Sequence, residues 1–384
     1  MAVFASEHRT FWAQAHLFKR VLADLLSSGL NPQNQNKNNL NGINAMKKLI
    51  LGSVLALTAG AMVQTAQAAD YTLRLAHFFP PVAAIHKNVA QAWADKVTAD
   101  SNGRIAVEVY PSSTLAKPPA LYDAVSNRIA DVSLTVQGYT ANRFPLTQVV
   151  ELPGIAKSAA NGSCIIQHLY DEQLISDEYK DTKPLFLFTH GPGHIHTTNK
   201  LIKQPADFDG LRIRRPTAVV AKLLEGLGAQ PVGMPAPQAF QSVQRGVIDG
   251  VALPWEGQLT FRMNELTPYH TEIGGLYTLS FLVTMNLDVY NSMPADLQKV
   301  IDDNAGEPWS QIAAREFDGA DVKGRAQAKA EGHQIFTVEG GVENPAWKPV
   351  LDKATDDYLT ELEAKGLPAR AVYKRAKELA ESCK

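Results

Sequence analysis

Arginines dominate one short segment of the sequence, residues 211–216 (LRIRRP). If this segment is a strand, Arg212 and Arg214 share one face, opposite Ile213 and Arg215. A guanidinium held in a cleft can bind a carboxylate through two parallel hydrogen bonds, because its N–H groups form a planar fork. The alternative is a solvated pair at the end of a strand, which contributes little energy. Periodicity alone leaves both interpretations open.

Histidines form the second candidate group, with His190, His194 and His196 inside residues 189–198. In a strand, His194 and His196 share one face. A metal site is one interpretation, but no cysteine or carboxylate stands nearby to complete it. The others are a ligand-facing pair and ordinary structural histidines. We favour the pair His194 and His196 facing a ligand, with no bound metal.

Aromatic side chains follow several predicted strands. The carboxyl ends of parallel strands form the usual ligand-binding edge of an α/β sheet, so aromatic residues there could cover an apolar ligand. The alternative, for each of them, is an aromatic residue of the core. The candidates at these strand ends, with one polar neighbour, are Phe78, Phe79, Gln137, Tyr139 and Trp255.

Enzyme motifs are missing from the sequence. It contains no G-x-S-x-G, H-E-x-x-H, G-x-x-x-x-G-K-[ST] or G-x-G-x-x-G segment. Its acidic residues form no spaced pair suited to acid–base chemistry, and neither cysteine stands in a nucleophile motif. We therefore expect a binding protein without a cofactor. A periplasmic hydrolase that uses the histidines is the competing hypothesis.

The segment 46–68 has the order of a secretory signal peptide. Lys47 and Lys48 form a basic start, residues 49–63 are uncharged and mostly apolar, and Ala66 and Ala68 flank a small-residue cleavage site. The apolar run is shorter than the about 20 residues that span a bilayer. We expect export to the periplasm after cleavage. Residues 1–45, which precede this signal, are interpreted as an artefact of the gene model or as a disordered extension.

The composition is that of an ordinary globular protein. The 384 residues are 45% hydrophobic and 20% charged, with a formal net charge of −2. No polybasic stripe is present, so nucleic acid is not an expected partner, and we expect a monomer. The two cysteines, Cys164 and Cys383, could pair in an exported protein or remain a buried and a surface thiol.

Strand and helix patterns alternate along the chain, which predicts an α/β fold. The pattern runs β-α-β-α-β and then restarts, which predicts two α/β lobes. The predicted strands cover residues 71–77, 105–110, 129–136, 185–189, 194–198, 211–215 and 247–253. The predicted helices cover 84–99, 121–128, 218–227, 238–245, a long region from Pro294, and a last helix over 350–365.

Several short segments, in this order and spacing, resemble the DctP-type solute receptors of tripartite ATP-independent periplasmic (TRAP) transporters. The resemblance covers residues 71 to about 334. The segments are 73–77 (LRLAH), 130–132 (ADV), 138–139 (GY), 143–146 (RFPL), 151–153 (ELP), 207–214 (DFDGLRIR) with Pro216, 228–229 (GA), 240–250 ending in IDG, and 293–298 (MPADLQ).

The resemblance implies a two-lobed periplasmic binding protein fold with hinge strands and a long helix across both lobes. The expected divisions are lobe I over 69–192, lobe II over 193–278, a return to lobe I over 279–320, and C-terminal helices over 321–384 packed on lobe II. The implied function is to bind a small organic acid and deliver it to membrane subunits driven by a sodium gradient. The family's carboxylate-binding arginine corresponds to Arg214, with Arg212 as a supporting residue.

The sequence departs from the family pattern at two ligand positions. A second arginine of the family corresponds to His194, and a polar contact of its sialic-acid receptors corresponds to Leu253, with Trp255 beyond. One firm cation with added aromatic residues indicates an aromatic or branched monocarboxylate, carrying a keto or hydroxy group, rather than sialic acid. A C4-dicarboxylate and a metal-binding receptor remain alternatives.

Overall fold

The computed structural model describes residues 68–383, which form one compact unit. The predicted extension 1–45 and the signal peptide 46–68, apart from Ala68, lie outside the described residues. Two mixed sheets flanked by helices make a two-lobed α/β fold, which confirms the predicted fold class.

The strands are β1 (Tyr71–His77), β2 (Ile105–Tyr110), β3 (Val132–Val136), β4 (Thr182–Thr189), β5 (His194–Thr197), β6 (Arg212–Arg215), β7 (Gln230–Gly233), β8 (Gly250–Leu253), β9 (Tyr269–Glu272), β10 (Ser280–Asn286) and β11 (Gln334–Thr337). The α-helices are α1 (Ala92–Asp100), α2 (Leu121–Ser126), α3 (Ala159–Asp171), α4 (Ala218–Gly226), α5 (Ala239–Gln244), α6 (Trp255–Thr260), α7 (Leu287–Ser292), α8 (Ala295–Asp303), α9 (Glu307–Ala330), α10 (Lys348–Ala364) and α11 (Ala369–Ser382). A π-helical turn (His86–Gln91) leads into α1.

Lobe I is built on the sheet β2-β1-β3-β10-β4. β1 is parallel to β2 and β3, and β10 runs antiparallel to both β3 and β4. The strands β1, β3 and β4 therefore end at the same edge of the sheet. β3 and β10 are buried along their whole length because helices cover both faces of the sheet.

Lobe II is built on the sheet β11-β9-β5-β8-β6-β7. β6 is parallel to β7 and β8, so the carboxyl ends of β6 and β8 lie at one edge. Residues 190–193 join β4 to β5, and residues 273–279 join β9 to β10, so the chain crosses twice between the sheets. These crossings place the carboxyl-terminal edges of the two sheets on either side of one cleft.

Helix α9 is the long helix that contacts both lobes, as predicted. Trp309 stacks on Phe186 of lobe I, with ring centroids 6.0 Å apart. Further along, the backbone N–H of Glu256 donates to Asp321 at 2.6 Å, and Arg325 pairs with Glu272 of lobe II at 2.6 Å. The helix therefore ties the two lobes together along the cleft.

The C-terminal region corrects the expectation that all its helices pack on lobe II. α10 packs on α4 of lobe II, but α11 packs on α3 of lobe I. Gly366 (φ +80°) ends α10, and Pro368 caps a further helix rather than ending the helical region. The disulfide between Cys164 and Cys383 ties α11 to α3, which resolves the open question of the two cysteines in favour of pairing. None of the helices within residues 68–383 is long and apolar enough to cross a membrane.

Candidate functional site

A pocket lies in the cleft between the lobes. The carboxyl ends of β1, β3 and β4 contribute to it from lobe I, and those of β6 and β8 from lobe II. This is the edge at which α/β sheets usually bind ligands. The predicted candidates Phe78, Phe79, Tyr139 and Arg214 are brought together in its wall.

Arg214 supplies the only cationic side chain that lines this pocket among residues 68–383. Its side chain is fully buried. Nε donates to the Met234 carbonyl at 3.0 Å, Nη1 to the Ala252 carbonyl at 2.8 Å, and Nη2 to the Tyr139 hydroxyl at 3.0 Å. No carboxylate of the described chain lies within ion-pair distance. A buried cation surrounded by neutral partners is costly, so the site is suited to an anion.

The remaining donors of Arg214 fit a carboxylate. A guanidinium has five N–H groups, and three of them are used by Met234, Ala252 and Tyr139. One N–H is left on each of Nη1 and Nη2. Two such parallel donors match the two oxygens of a carboxylate.

Tyr139 adds a third donor beside the guanidinium. Its hydroxyl oxygen accepts from Arg214 Nη2 and from the backbone N–H of Ala236, each at 3.0 Å. Both lone pairs are then used, so the hydroxyl proton is left for another acceptor. Because Tyr139 belongs to lobe I and Arg214 and Ala236 to lobe II, these bonds also hold the lobes together over the pocket.

Five phenylalanines line the rest of the pocket and make it an apolar slot. The rings of Phe78 and Phe79 stack with centroids 4.3 Å apart, and Phe79 lies 6.3 Å from both Phe281 and Phe317. Phe261 stacks on the same pair from lobe II at 6.3–6.4 Å. Stacked walls of this kind favour a planar apolar body.

Residues 75–361 match the family model described as bacterial extracellular solute-binding protein, family 7 (DctP). The chain belongs to this family. The predicted resemblance is thereby confirmed, over a longer part of the C-terminal region than the sequence motifs indicated.

Solved structures place this DctP-family protein among the TRAP solute-binding proteins. It is similar to one from an unidentified marine microbe, described as specific for aromatic acid ligands and crystallised with 3-hydroxybenzoate (38% identity, TM-score 0.79, covering 83% of this chain and 100% of that one). It is also similar to one from Rhodoferax ferrireducens T118 in complex with copurified benzoate (37% identity, TM-score 0.77, 81% and 98% covered). A curated relative, the C4-dicarboxylate-binding periplasmic protein DctP of Rhodobacter capsulatus, is 27% identical over 84% of this chain and 98% of its own length.

The predicted ligand contacts His194, His196 and Trp255 lie outside the wall of this pocket. His196 lies with Nδ1 2.6 Å from His270 Nδ1 and Nε2 3.0 Å from the Leu253 carbonyl. Trp255 Nε1 donates to Glu272 at 2.9 Å, and the ring of His194 lies 6.0 Å from that of Trp255. Hydrogen bonds within lobe II therefore engage His196 and Trp255, whereas His194 packs near Trp255 and its Nδ1 has no partner among residues 68–383.

Arg212 and Gln137 are also displaced from their predicted role. Arg212 makes a two-pronged ion pair with Asp249 (2.9 and 2.6 Å) and its side chain is 41% exposed, because it lies at the opposite end of β6 from the pocket. Gln137 is buried and donates to the Tyr179 hydroxyl inside lobe I. Neither side chain reaches the slot.

His190 and Glu256 line the pocket although sequence reasoning did not assign them to a ligand site. His190 directly follows β4, so the strand-end rule that selected Phe78 would have found it. Burial lowers the pKa of His190 to about 3 and raises the pKa of Glu256 to about 7. Glu256 accepts a hydrogen bond from the Thr260 hydroxyl.

The three histidines considered for a metal site do not act together. His190 faces the pocket between the lobes, whereas His196 contacts His270 within lobe II. Within residues 68–383 no group of three histidine, cysteine or acidic side chains is arranged to hold a metal ion.

Proposed function

We propose that this protein is the periplasmic receptor of a TRAP transporter and that it captures an aromatic monocarboxylate. The observation that carries the proposal is Arg214, a buried guanidinium with only neutral partners in the described chain, at one end of a slot walled by five phenylalanines. The carboxylate of the acid would occupy the two free N–H groups of Arg214 and the hydroxyl proton of Tyr139. Its ring would lie between the phenylalanines.

The charge of the slot supports one carboxylate rather than two. Beyond Arg214, the polar groups that line it are Tyr139, His190 and Glu256, none of which is a cation at neutral pH. A second carboxylate would be buried without a counter-ion, which costs several kcal/mol. The phenylalanine rings favour an aromatic body over a branched aliphatic one, because pairs of aromatic rings attract each other beyond their buried area. The bound 3-hydroxybenzoate and benzoate of the two similar structures agree with this choice.

The proposed mechanism is capture by closure. Tyr139 bonds to Arg214 and Ala236 across the cleft, and Thr217 of lobe II donates to Glu151 of lobe I at 2.8 Å. A ligand that bridges Arg214 and the lobe I aromatics stabilises this closed arrangement over an open one. Closure excludes water, which strengthens the ion pair.

We further propose that the protein is exported and passes its solute to membrane subunits. A signal peptide over 46–68 would export the chain, and the closed, loaded monomer would deliver the acid to membrane subunits driven by a sodium gradient. The acid would leave the protein chemically unchanged, since we propose a receptor and not an enzyme. Uptake of labelled acid by vesicles that contain the membrane subunits should require both this protein and an inward sodium gradient.

The direct test is to denature the purified protein and identify the released small molecule by mass spectrometry, then to titrate refolded protein by calorimetry. We expect an aromatic monocarboxylate to be released, and benzoate to bind more tightly than succinate or malate. A preference for the dicarboxylates, or conversion of the acid during incubation, would refute the proposal.

A further inference from the structure

His190 carries an unused hydrogen-bonding atom at the wall of the pocket. The side chain is 1% exposed, and its Nε2 has no hydrogen-bond partner among residues 68–383. It lines the same slot as Arg214 and the phenylalanines. A buried polar atom without a partner is uncommon, and beside a ligand slot it indicates a contact that the ligand completes.

The neighbouring groups fix which nitrogen of His190 carries the proton. Nδ1 lies within hydrogen-bonding distance of the Gly191 carbonyl, which can only accept, so the proton is on Nδ1. The Thr278 hydroxyl, 3.4 Å from Nδ1, does not compete, because its proton is donated to the His190 carbonyl at 2.6 Å. Nε2 therefore presents a bare lone pair.

The charge state of His190 agrees with this assignment. Burial, together with the positive charge of Arg214, holds its pKa at about 3, so the ring is neutral at physiological pH. Among residues 68–383 the Tyr277 hydroxyl also has no partner, but its ring centroid lies 5.8 Å from that of His190 and the two groups do not bond to each other. The slot thus has donors at Arg214 and Tyr139, an acceptor at His190, and the carboxyl group of Glu256.

We propose that His190 is a specificity-determining residue that accepts a hydrogen bond from a hydroxyl group of the bound acid. The inference rests on the proposed function and narrows its ligand class. The hydroxyl group of a hydroxylated aromatic acid can donate its proton to Nε2 of His190. A keto group, an ether or a second carboxylate has no proton to donate, so its oxygen lone pair would face the lone pair of Nε2. The receptor is therefore selective for hydroxy acids over the corresponding keto acids and ethers.

The ligand hydroxyl could stand on the aromatic ring or on the carbon beside the carboxylate. Matched pairs of ligands test each position. Calorimetry would compare 3- and 4-hydroxybenzoate with the corresponding methoxybenzoates, and mandelate with benzoylformate, using benzoate as the common reference. In the wild-type protein we expect the hydroxy member of at least one pair to bind about five- to tenfold more tightly than its partner and than benzoate.

Two variants assign the selectivity to His190. His190→Leu should lose the preference for the hydroxy member, measured as the ratio of its Kd to that of its partner, since the Nε2 acceptor is removed. His190→Gln, whose amide oxygen accepts, should keep part of the preference. Nitrogen-15 NMR of histidine-labelled protein should show His190 protonated on Nδ1 alone.

Three results would overturn the inference while leaving the proposed function in place. They are equal binding of hydroxy and methoxy or keto partners in wild type, a preference that survives in His190→Leu, and a proton on Nε2 in the spectrum. Failure of every aromatic acid to bind would instead refute the proposed function itself. A circular dichroism melt of each variant shows whether a loss of binding is a loss of folding.

Discussion

Replacing Arg214 by alanine removes the group to which we assign the carboxylate. The guanidinium is fully buried, and two of its N–H groups are left over from its bonds to Met234, Ala252 and Tyr139. In the variant, a bound carboxylate would lose its counter-ion inside a water-excluding slot. Only the Tyr139 hydroxyl would remain to hydrogen-bond it.

The magnitude follows from the burial of the pair. Truncating one partner of a buried, hydrogen-bonded charge pair costs about 2–5 kcal/mol of binding free energy. At about 1.4 kcal/mol per factor of ten, the Kd for benzoate should rise roughly 30- to 4,000-fold. Arg214→Lys keeps the charge but not the fork, so its Kd should lie between those of wild type and alanine.

Arg212→Ala is the matched control, because it removes an arginine from the same strand. Arg212 is 41% exposed and pairs with Asp249, so this variant should bind benzoate within about twofold of wild type. Calorimetric titration of the three variants, each checked by a thermal melt, gives the comparison. An Arg214→Ala protein that is folded and binds benzoate within threefold of wild type would refute the assignment.

Three further predictions concern other residues. Tyr139→Phe removes a donor to a charged group, so calorimetry should show benzoate affinity about 10- to 100-fold lower; unchanged affinity would exclude that contact. Replacing Cys164 and Cys383 by serine should lower the free energy of unfolding by about 2–5 kcal/mol in urea titrations and leave ligand affinity unchanged, because the bond ties α11 to α3 away from the pocket. Burial raises the pKa of Glu256 from 4.5 to about 7. Between pH 4.5 and 7 the native state therefore keeps a proton on this side chain that the unfolded state has lost. The free energy of unfolding should fall as pH rises through this window, because the native state binds more protons there. The difference in unfolding free energy between wild type and Glu256→Gln should therefore change by up to about 3 kcal/mol from pH 4.5 to 7, and a difference that stays constant would contradict the assignment.

Strand and helix periodicity predicted the elements that have one face towards solvent. It failed for a strand that is buried throughout and for a helix that follows a glycine and a proline. Helix α4 and strand β6 lie within one residue of their predicted bounds. Strand β10 is buried at all seven positions between β3 and β4, so it has no polar alternation to reveal it. Gly366 and Pro368 correctly predicted the end of α10, but they gave no indication that α11 begins directly after Pro368.

The pocket residues Phe78 and Tyr139 were predictable because each comes soon after a strand, and the carboxyl ends of parallel strands meet at one edge. Arg214 was selected from strand periodicity and from the family resemblance. His194 and His196 were misplaced because strand periodicity shows that two side chains share a face but not what covers that face. In lobe II, His270 and Trp255 pack against His196, and both are distant from it in the sequence.

The walls of the slot illustrate the same limit. Phe281 is the second residue of the antiparallel strand β10 and Phe317 lies on α9, so neither stands at a predicted strand end. Phe281 comes near Phe79 through the pairing of β10 with β3, and Phe317 through the packing of α9 on lobe I. Contacts of this kind depend on the tertiary arrangement and leave no local pattern in the sequence.

A crystal structure of the complex with benzoate would show directly where the carboxylate binds. We expect both carboxylate oxygens about 3 Å from Nη1 and Nη2 of Arg214, one of them also bonded to the Tyr139 hydroxyl, with the ring against Phe78, Phe79 and Phe281. A carboxylate bound anywhere else, with Arg214 still engaged only by protein groups, would contradict it.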